Sequence, residues 1–175
     1  MEVIWDRQFG FLKETLVAPM SRFQIMIGRT LGGATVATMQ AVIFFVISLL
    51  AGFRPESWAM AVPALLVMFL IALVFTALGM MIGSLLSDIQ GFQLIINFLI
   101  MPLFFLSGAL FPLQGLPKTV AILAALDPLS YGVDALRALL IGTSHYGLPL
   151  DLAVLSGVTV IFIGIGSYLF SRVQV

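Results

Sequence analysis

Long stretches without a charged residue constrain this chain more than any other feature. No Asp, Glu, Lys or Arg occurs between Arg29 and Arg54, Glu56 and Asp88, Asp88 and Lys118, or Asp151 and Arg172. A helix needs about 20 largely apolar residues to cross the ~30 Å hydrocarbon core of a bilayer. Each stretch is long enough, so the sequence predicts four membrane-spanning helices, over about 22–52, 60–86, 91–113 and 152–171.

The composition excludes an ordinary soluble domain. Hydrophobic residues make up 61% of the 175 residues and charged residues 9%, against roughly 45–50% and about 25% in soluble domains. A soluble chain of this size cannot bury such an excess of apolar surface, so we expect it to face lipid. Eight basic residues balance eight acidic ones, and nothing indicates nucleic-acid binding. The predicted class is an all-α integral membrane protein with a single domain over 1–175.

Basic residues near the spans predict the orientation. Four of them, Arg7, Lys13, Arg22 and Arg29, precede or begin the first span. Lys and Arg accumulate on the cytoplasmic side of short flanking segments, which places the N-terminal segment in the cytoplasm. Four crossings then put both termini inside and residues 114–150 outside.

The segment before the first span has helical character. Phe9, Leu12 and Leu16 recur at helical spacing, and Pro19 ends this short helix because it disfavours helical geometry at the preceding residue. Ser21, followed three residues later by Gln24, fits a capping box that begins the next helix. The pattern alone favours a helix on the bilayer surface over a docking element for a cytoplasmic partner.

Residues 114–150 are too long and too apolar for a simple loop, and we predict two short helices that dip into the outer leaflet or lie on it. Asp127 and Pro128 are typical of a helix start, and Gly142 is typical of its end. Asp134 and Arg137 are spaced to pair on the helix surface. An apolar stripe accompanies them, formed by Leu129, Val133, Leu136 and Leu140.

Small and polar residues inside the spans indicate helix packing. Gly28 and Gly32, like Gly79 and Gly83, repeat at the four-residue spacing that lets helix backbones approach closely. Most hydroxyl groups inside the spans are expected to bond to their own helix. Three amide side chains are more costly in lipid and are expected to face protein or a cavity: Gln40, Gln93 and Asn97.

The chain lacks the groups that intramembrane enzymes use. The single histidine, His145, lies in the predicted outer segment, and no His-Glu-x-x-His or Gly-x-Ser-x-Gly motif occurs. No span carries an acidic residue at its middle, which argues against an intramembrane aspartyl dyad. The sequence therefore predicts no catalytic residue, no cofactor-binding residue and no metal ligand, and an enzyme is the disfavoured alternative.

Two stretches together resemble one family. Residues 5–20 (WDRQFGFLKETLVAPM) are similar to the cytoplasmic coupling segment of type-2 ABC transporter permeases. Residues 105–142, from FLSGALFP through DPLSYGVDALR to LIG, resemble the C-terminal region of the same family. The resemblance covers essentially the whole chain and is strongest to daunorubicin-resistance-type and nodulation-factor-type exporters.

This resemblance implies a permease subunit of an exporter in a prokaryotic cytoplasmic membrane. Its substrate would be an amphipathic drug, lipid or lipid-linked saccharide. Its partners would be a second permease copy, membrane lipid and a separate ATP-binding-cassette ATPase, which hydrolyses ATP in place of this chain. Residues 9–20 would then be a coupling helix that contacts the ATPase through Phe9, Phe11, Leu12, Lys13 and Glu14. The outer helices would shape the exit of the pathway through Asp127, Tyr131, Asp134 and Arg137.

The chain departs from the family pattern in its number of spans. Family members have six spans preceded by an amphipathic elbow helix, so the elbow and the first two spans are expected to be missing here. The alternative function is a non-transporting membrane adaptor, or a truncated remnant, that anchors a cytoplasmic partner through residues 9–16.

Overall fold

The computed structural model describes residues 21–86, 88–111 and 117–171, and within these ranges it is helical without a strand. The helices are α1 (Arg22–Leu50), α2 (Ala61–Leu85), α3 (Ile89–Leu106), α4 (Lys118–Leu126), α5 (Pro128–Ile141) and α6 (Leu148–Ser171). A single 3-10 turn, Trp58–Met60, precedes α2. The predicted all-α class is confirmed, whereas the coupling segment 9–20 lies outside the described residues.

Four of these helices are long and apolar enough to cross a membrane. They are α1, α2 with its preceding turn, α3 and α6. The remaining pair, α4 and α5, is bent by 87° at the break between Leu126 and Pro128, and each is too short to span a bilayer alone. The chain is therefore a multi-pass membrane protein that carries one sharply bent pair of short helices.

Local signals set several helix ends. The Ser21 hydroxyl accepts from the backbone N–H of Gln24 (3.2 Å), and the Gln24 side chain accepts from the Ser21 N–H (2.9 Å), which confirms the capping box. Gly142 ends α5 with a φ of +72°, a conformation that glycine adopts readily. Helix α3 stops at Leu106, and the chain turns at Gly108, whose φ is +77°.

Helix α2 is the centre of the bundle. It packs against α1, α6 and α5, and one apolar cluster joins α1, α2 and α6 through Met26, Met80 and Phe170. Helix α3 packs far less against the others, and Phe92 is its only described buried residue. Most of the α3 surface is therefore available to lipid or to another protein.

Helix α5 lies inside the bundle. It runs antiparallel to the first half of α2, because Tyr131 near its start packs with Val74 while Leu139 near its end packs with Ala64. Tyr131 and Val74 also contact Leu155 of α6. Helix α5 therefore packs against two spanning helices, and its placement in or on the outer leaflet stays a prediction.

The predicted glycine packing is wrong for three positions. A Cβ atom added at Gly28, Gly32 or Gly79 would meet no atom within 4 Å. The close approach of α1 and α2 occurs instead at Gly33, where a Cβ would lie 2.7 Å from the Cγ2 atom of Thr76. Four-residue spacing marks a possible contact face, but the neighbouring helix selects the glycine that is used.

Candidate functional site

Two groups of site residues were predicted, and the structure describes one of them. The coupling residues Phe9, Phe11, Leu12, Lys13 and Glu14 lie outside the described residues. The second group, Asp127, Tyr131, Asp134 and Arg137, lies on α5 and at its N-cap. The structure places three of these, Asp127, Tyr131 and Asp134, on one buried helix face.

Asp127 occupies the break between α4 and α5. It is 2% exposed, and its Oδ1 atom accepts a hydrogen bond from the backbone N–H of Leu129 (2.8 Å), as expected for a helix N-cap. Its Oδ2 atom has no donor. Burial raises the pKa of Asp127 to about 6, although the Leu129 hydrogen bond opposes this increase. The carboxyl therefore titrates far closer to neutral pH than an ordinary aspartate does.

Tyr131 connects the bend between α4 and α5 to the segment between α5 and α6. Its hydroxyl donates to the carbonyl of Ala125 in α4 (2.8 Å). Its ring stacks on Tyr146, with centroids 4.7 Å apart and planes inclined by 28°. Burial raises the pKa of Tyr146, and the nearby Tyr131 and Asp134 add to this increase. The aromatic pair thus holds the bend, α5 and the following loop together.

Asp134 organises the loop of residues 142–147, which we call the α5–α6 loop. It accepts the backbone N–H groups of His145 (2.7 and 2.9 Å) and Tyr146 (2.8 Å), and the hydroxyl of Ser144 (2.9 Å). Burial would raise the pKa of Asp134, but these hydrogen bonds outweigh that effect and lower it. Asp134 is therefore an ionised acceptor that fixes the loop.

The predicted pairing of Asp134 with Arg137 is wrong. The Arg137 guanidinium donates from Nη2 to the carbonyl of Gly108 (2.6 Å), in the turn after α3. The donors to Asp134 come from the α5–α6 loop instead. Tertiary contacts override the spacing because each partner satisfies a group that α5 alone cannot reach.

A further polar residue of this helix, Ser130, was not singled out from the sequence. It is fully buried, and its hydroxyl donates to the Leu106 carbonyl at the end of α3 (3.4 Å). With Arg137 it joins α5 to the C-terminal end of α3, whose last carbonyl groups have no partner within the helix. The position of α5 is therefore linked to the position of α3.

Asp151 is another residue that sequence reasoning missed. It lies in the first turn of α6 and is fully buried. Neither of its carboxyl oxygens has a hydrogen-bond donor. The available signal was an acidic residue directly before a long apolar stretch, which we interpreted only as the boundary of the span.

Apolar grooves lie on the described part of the helix bundle, and two of them involve its spanning helices. One, of about 350 Å³, lies between α1 and α2 and is lined by Thr35, Thr38, Met39, Val42, Ile43 and Phe69. Both threonine hydroxyls in it donate to carbonyls of their own helix (2.8 and 2.7 Å), as predicted. The other, of about 310 Å³, lies among α2, α5 and α6. Such surfaces suit lipid chains or the apolar part of an amphipathic molecule.

No cluster of three or more His, Cys, Asp or Glu residues with metal-binding geometry occurs within 21–86, 88–111 and 117–171. The described polar residues of α5 instead join helices and fix a loop. This chemistry can couple movements of α3, α4, α5 and α6.

Comparison with known proteins places the chain among membrane permeases. The sequence model of the ABC-2 type transporter family matches residues 1–141. A putative transport permease ycf38 of Cyanophora paradoxa is 29% identical over 140 residues, 79% of this chain and 48% of that protein. Nodulation protein J of Rhizobium leguminosarum bv. viciae is 28% identical over 140 residues, 80% of this chain and 53% of that protein.

A bacterial relative with a named transport role shows similar identity. The probable multidrug ABC transporter permease YbhR of Escherichia coli K12 is 29% identical over 134 residues, 77% of this chain and 36% of that protein. The chain spans about half the length of the first two relatives and a smaller share of YbhR. The similarity therefore concerns a large part of a permease, and it includes the α5 polar residues.

Proposed function

Because the chain belongs to the ABC-2 type transporter family, we propose that it is permease machinery of an ATP-binding-cassette exporter. It moves an amphipathic compound, such as a drug, a lipid or a lipid-linked saccharide, across a prokaryotic cytoplasmic membrane. The observation that carries this proposal is the family match over residues 1–141, which includes three of the four spanning helices and the bent α4–α5 pair.

The energy source in this proposal is a separate ATPase subunit. Residues 9–20 dock on it, with contacts through Phe9, Phe11, Leu12, Lys13 and Glu14. Support comes from their helical apolar pattern and from the capping box at Ser21, which begins α1 directly after this segment. Movement of the docking segment is thereby transmitted to α1, which packs against α2.

The proposed orientation follows from the basic residues. Four Lys or Arg residues lie in 1–29, and the positive-inside rule assigns this end to the cytoplasm. With four crossings both termini are cytoplasmic, and the α5–α6 loop lies on the outer side. Asp127, Tyr131, Asp134 and Arg137 then shape the exit of the pathway from beside α2.

The second partner is another permease copy. Gln93 and Asn97 are both exposed on α3, the spanning helix that packs least against the other helices. Amide side chains are costly in lipid and form hydrogen bonds between helices. A second copy that covers α3 satisfies this requirement.

The test uses the complex purified from its source membranes with an affinity tag. We expect an ATPase subunit to copurify and, after reconstitution in lipid vesicles, ATP hydrolysis to drive uptake of an amphipathic dye. The double variant Leu12→Ala/Glu14→Ala should retain ATP hydrolysis and lose most of the dye uptake, because the coupling contacts are gone.

The matched control is Thr143→Ala, an exposed change in the α5–α6 loop, which should leave dye uptake unchanged. Unaltered coupling in the double variant would refute the docking role of residues 9–20. Stable binding of a cytoplasmic partner with no ATP-driven uptake would instead establish the adaptor function.

A further inference from the structure

The surroundings of the Asp151 carboxyl disfavour its ionised form. The residue is fully buried, and neither carboxyl oxygen receives a hydrogen bond. An ionised carboxylate buried without a donor is strongly unfavourable. The first turn of α6 supplies a positive helix dipole, but none of its N–H groups bonds to these oxygens. The charge of an ionised Asp151 would therefore lack the hydrogen bonds that burial requires.

The packing of α6 on α5 brings Asp151 close to Asp134, because Leu148, one turn before Asp151, packs on the cluster that contains Ala135, the residue next to Asp134. The two carboxyl groups are therefore near enough to interact. Ionised carboxylates are acceptors only, so two of them cannot bond to one another. A close, buried pair of carboxyl groups holds one proton between them because like charges at such separation are mutually destabilising.

The hydrogen bonds that each carboxyl group accepts indicate which of the two carries the proton. Asp134 already accepts from Ser144, His145 and Tyr146, which stabilises its ionised form. Asp151 accepts none. We propose that Asp134 and Asp151 form a proton-binding site, in which protonated Asp151 donates a hydrogen bond to ionised Asp134.

The groups around this site favour a proton over another positive charge. Tyr146, in the loop, lies near both carboxyl groups of the pair and also near Tyr131 and Asp127 at the start of α5. Helix α2 has no charged residue over Ala61–Leu85. On the remaining side the Glu56 side chain lies next to Gly142. The basic neighbour Arg137 points its guanidinium to the Gly108 carbonyl, and His145 contributes its backbone N–H.

The proton joins three elements: α5 through Asp134, α6 through Asp151, and the α5–α6 loop through the donors to Asp134. Loss of the proton places two negative charges side by side and weakens the attachment of α6 and the loop to α5. In the orientation of the proposed function, on which this step rests, the site responds to the pH outside the cell. A rise in pH loosens the exit end of the pathway.

Infrared difference spectroscopy of the purified protein in detergent tests the site directly. At about pH 7, where ordinary aspartates are ionised, the wild-type protein should show the carbonyl band of a protonated carboxylic acid. Asp151→Asn should abolish this band, because its amide replaces the acid as the donor to Asp134. Asp127→Asn is the control and should leave the band, since Asp127, with a pKa of about 6, is largely ionised at that pH.

Hydrogen exchange provides the second readout. After correction for the intrinsic rate, the wild-type N–H groups of His145 and Tyr146 should lose protection by up to about tenfold for each pH unit between the pKa of an ordinary aspartate and the pH at which the band titrates, and the loss should then level off. Asp151→Asn should keep them protected throughout. If the Asp151→Asn protein does not fold, loss of the band in the Asp151→Ser protein assigns the band to Asp151.

Absence of the wild-type band at about pH 7, or its persistence in both Asp151 variants, would overturn the proposal. Neither readout requires transport or an ATPase. A failed proton site would therefore leave the exporter proposal intact, and a failed transport assay would leave the proton site intact.

Discussion

At the scale of single residues, α5 reverses the usual relation between polarity and burial. Asp134 is 5% exposed and Ser130 is fully buried, while Leu136 and Leu140 of the apolar stripe are only half-buried. In a soluble protein the apolar stripe would face the core. Lipid is as apolar as the stripe, so the polar side chains are the ones that must be enclosed by protein.

Asp127 should make stability fall as pH rises. Its pKa of about 6 in the folded protein exceeds the unfolded value of about 4, so the folded state binds more protons between these pH values. By linkage, the free energy of unfolding decreases as pH rises through this window and then levels off. Thermal unfolding in detergent should show this slope in the wild type and a smaller slope in Asp127→Asn, which retains the N-cap.

Asp88→Asn is the matched control for that measurement. Asp88 is also a helix N-cap, accepting from the N–H of Gly91 (2.6 Å), but it is exposed. Its substitution should preserve the wild-type slope. An Asp127→Asn protein with the full wild-type slope between about pH 4 and 6 would contradict the assignment.

At the scale of helices, one glycine sets the fit between α5 and α2. A Cβ added at Gly132 would lie 2.7 Å from Cγ1 and 2.8 Å from Cδ1 of Ile71. Gly132→Ala should therefore destabilise the protein by about 1–3 kcal/mol, the typical effect of overpacking, and lower its melting temperature. Gly79→Ala is the control within α2, because a Cβ there meets nothing within 4 Å.

Ile71→Ala should relieve the clash and restore part of the stability lost in Gly132→Ala. The double variant should then be more stable than the sum of the single effects predicts, since the two side chains interact directly. Equal melting temperatures for Gly132→Ala and Gly79→Ala would show that α5 does not approach α2 closely at this point.

The sequence predicted the elements that depend on local signals. Uncharged stretches revealed the spans, Ser21 and Gln24 revealed the start of α1, and Asp127 with Pro128 revealed the start of α5. These signals lie within a few residues of the feature they specify. How deeply a helix lies in the bundle, and which residues its side chains contact, depends on tertiary packing. The sequence therefore left the position of α5 beside α2 open.

In the candidate site too, local sequence predicted some features and only tertiary packing determined the others. Asp127, Tyr131, Asp134 and Arg137 lie on one helix or at its N-cap, as the local pattern indicated, yet the partner assigned to Arg137 was wrong. Its acceptor, Gly108, lies 29 residues away in the chain. Asp151 was missed altogether because its significance comes from Asp134, which only the packing of α6 against α5 brings near.

At the scale of the whole molecule, the exposed face of α3 predicts where a second copy binds. Asn97 is exposed on this helix, and the protein contains no cysteine, so single-cysteine variants report proximity without background. Asn97→Cys should form an intermolecular disulfide in native membranes, because symmetric copies bring equivalent positions together. Val160→Cys, 70% exposed on α6, is the control and should remain monomeric. Efficient cross-linking at residue 160 with none at 97 would place the interface on α6 and leave α3 to lipid or to a different protein.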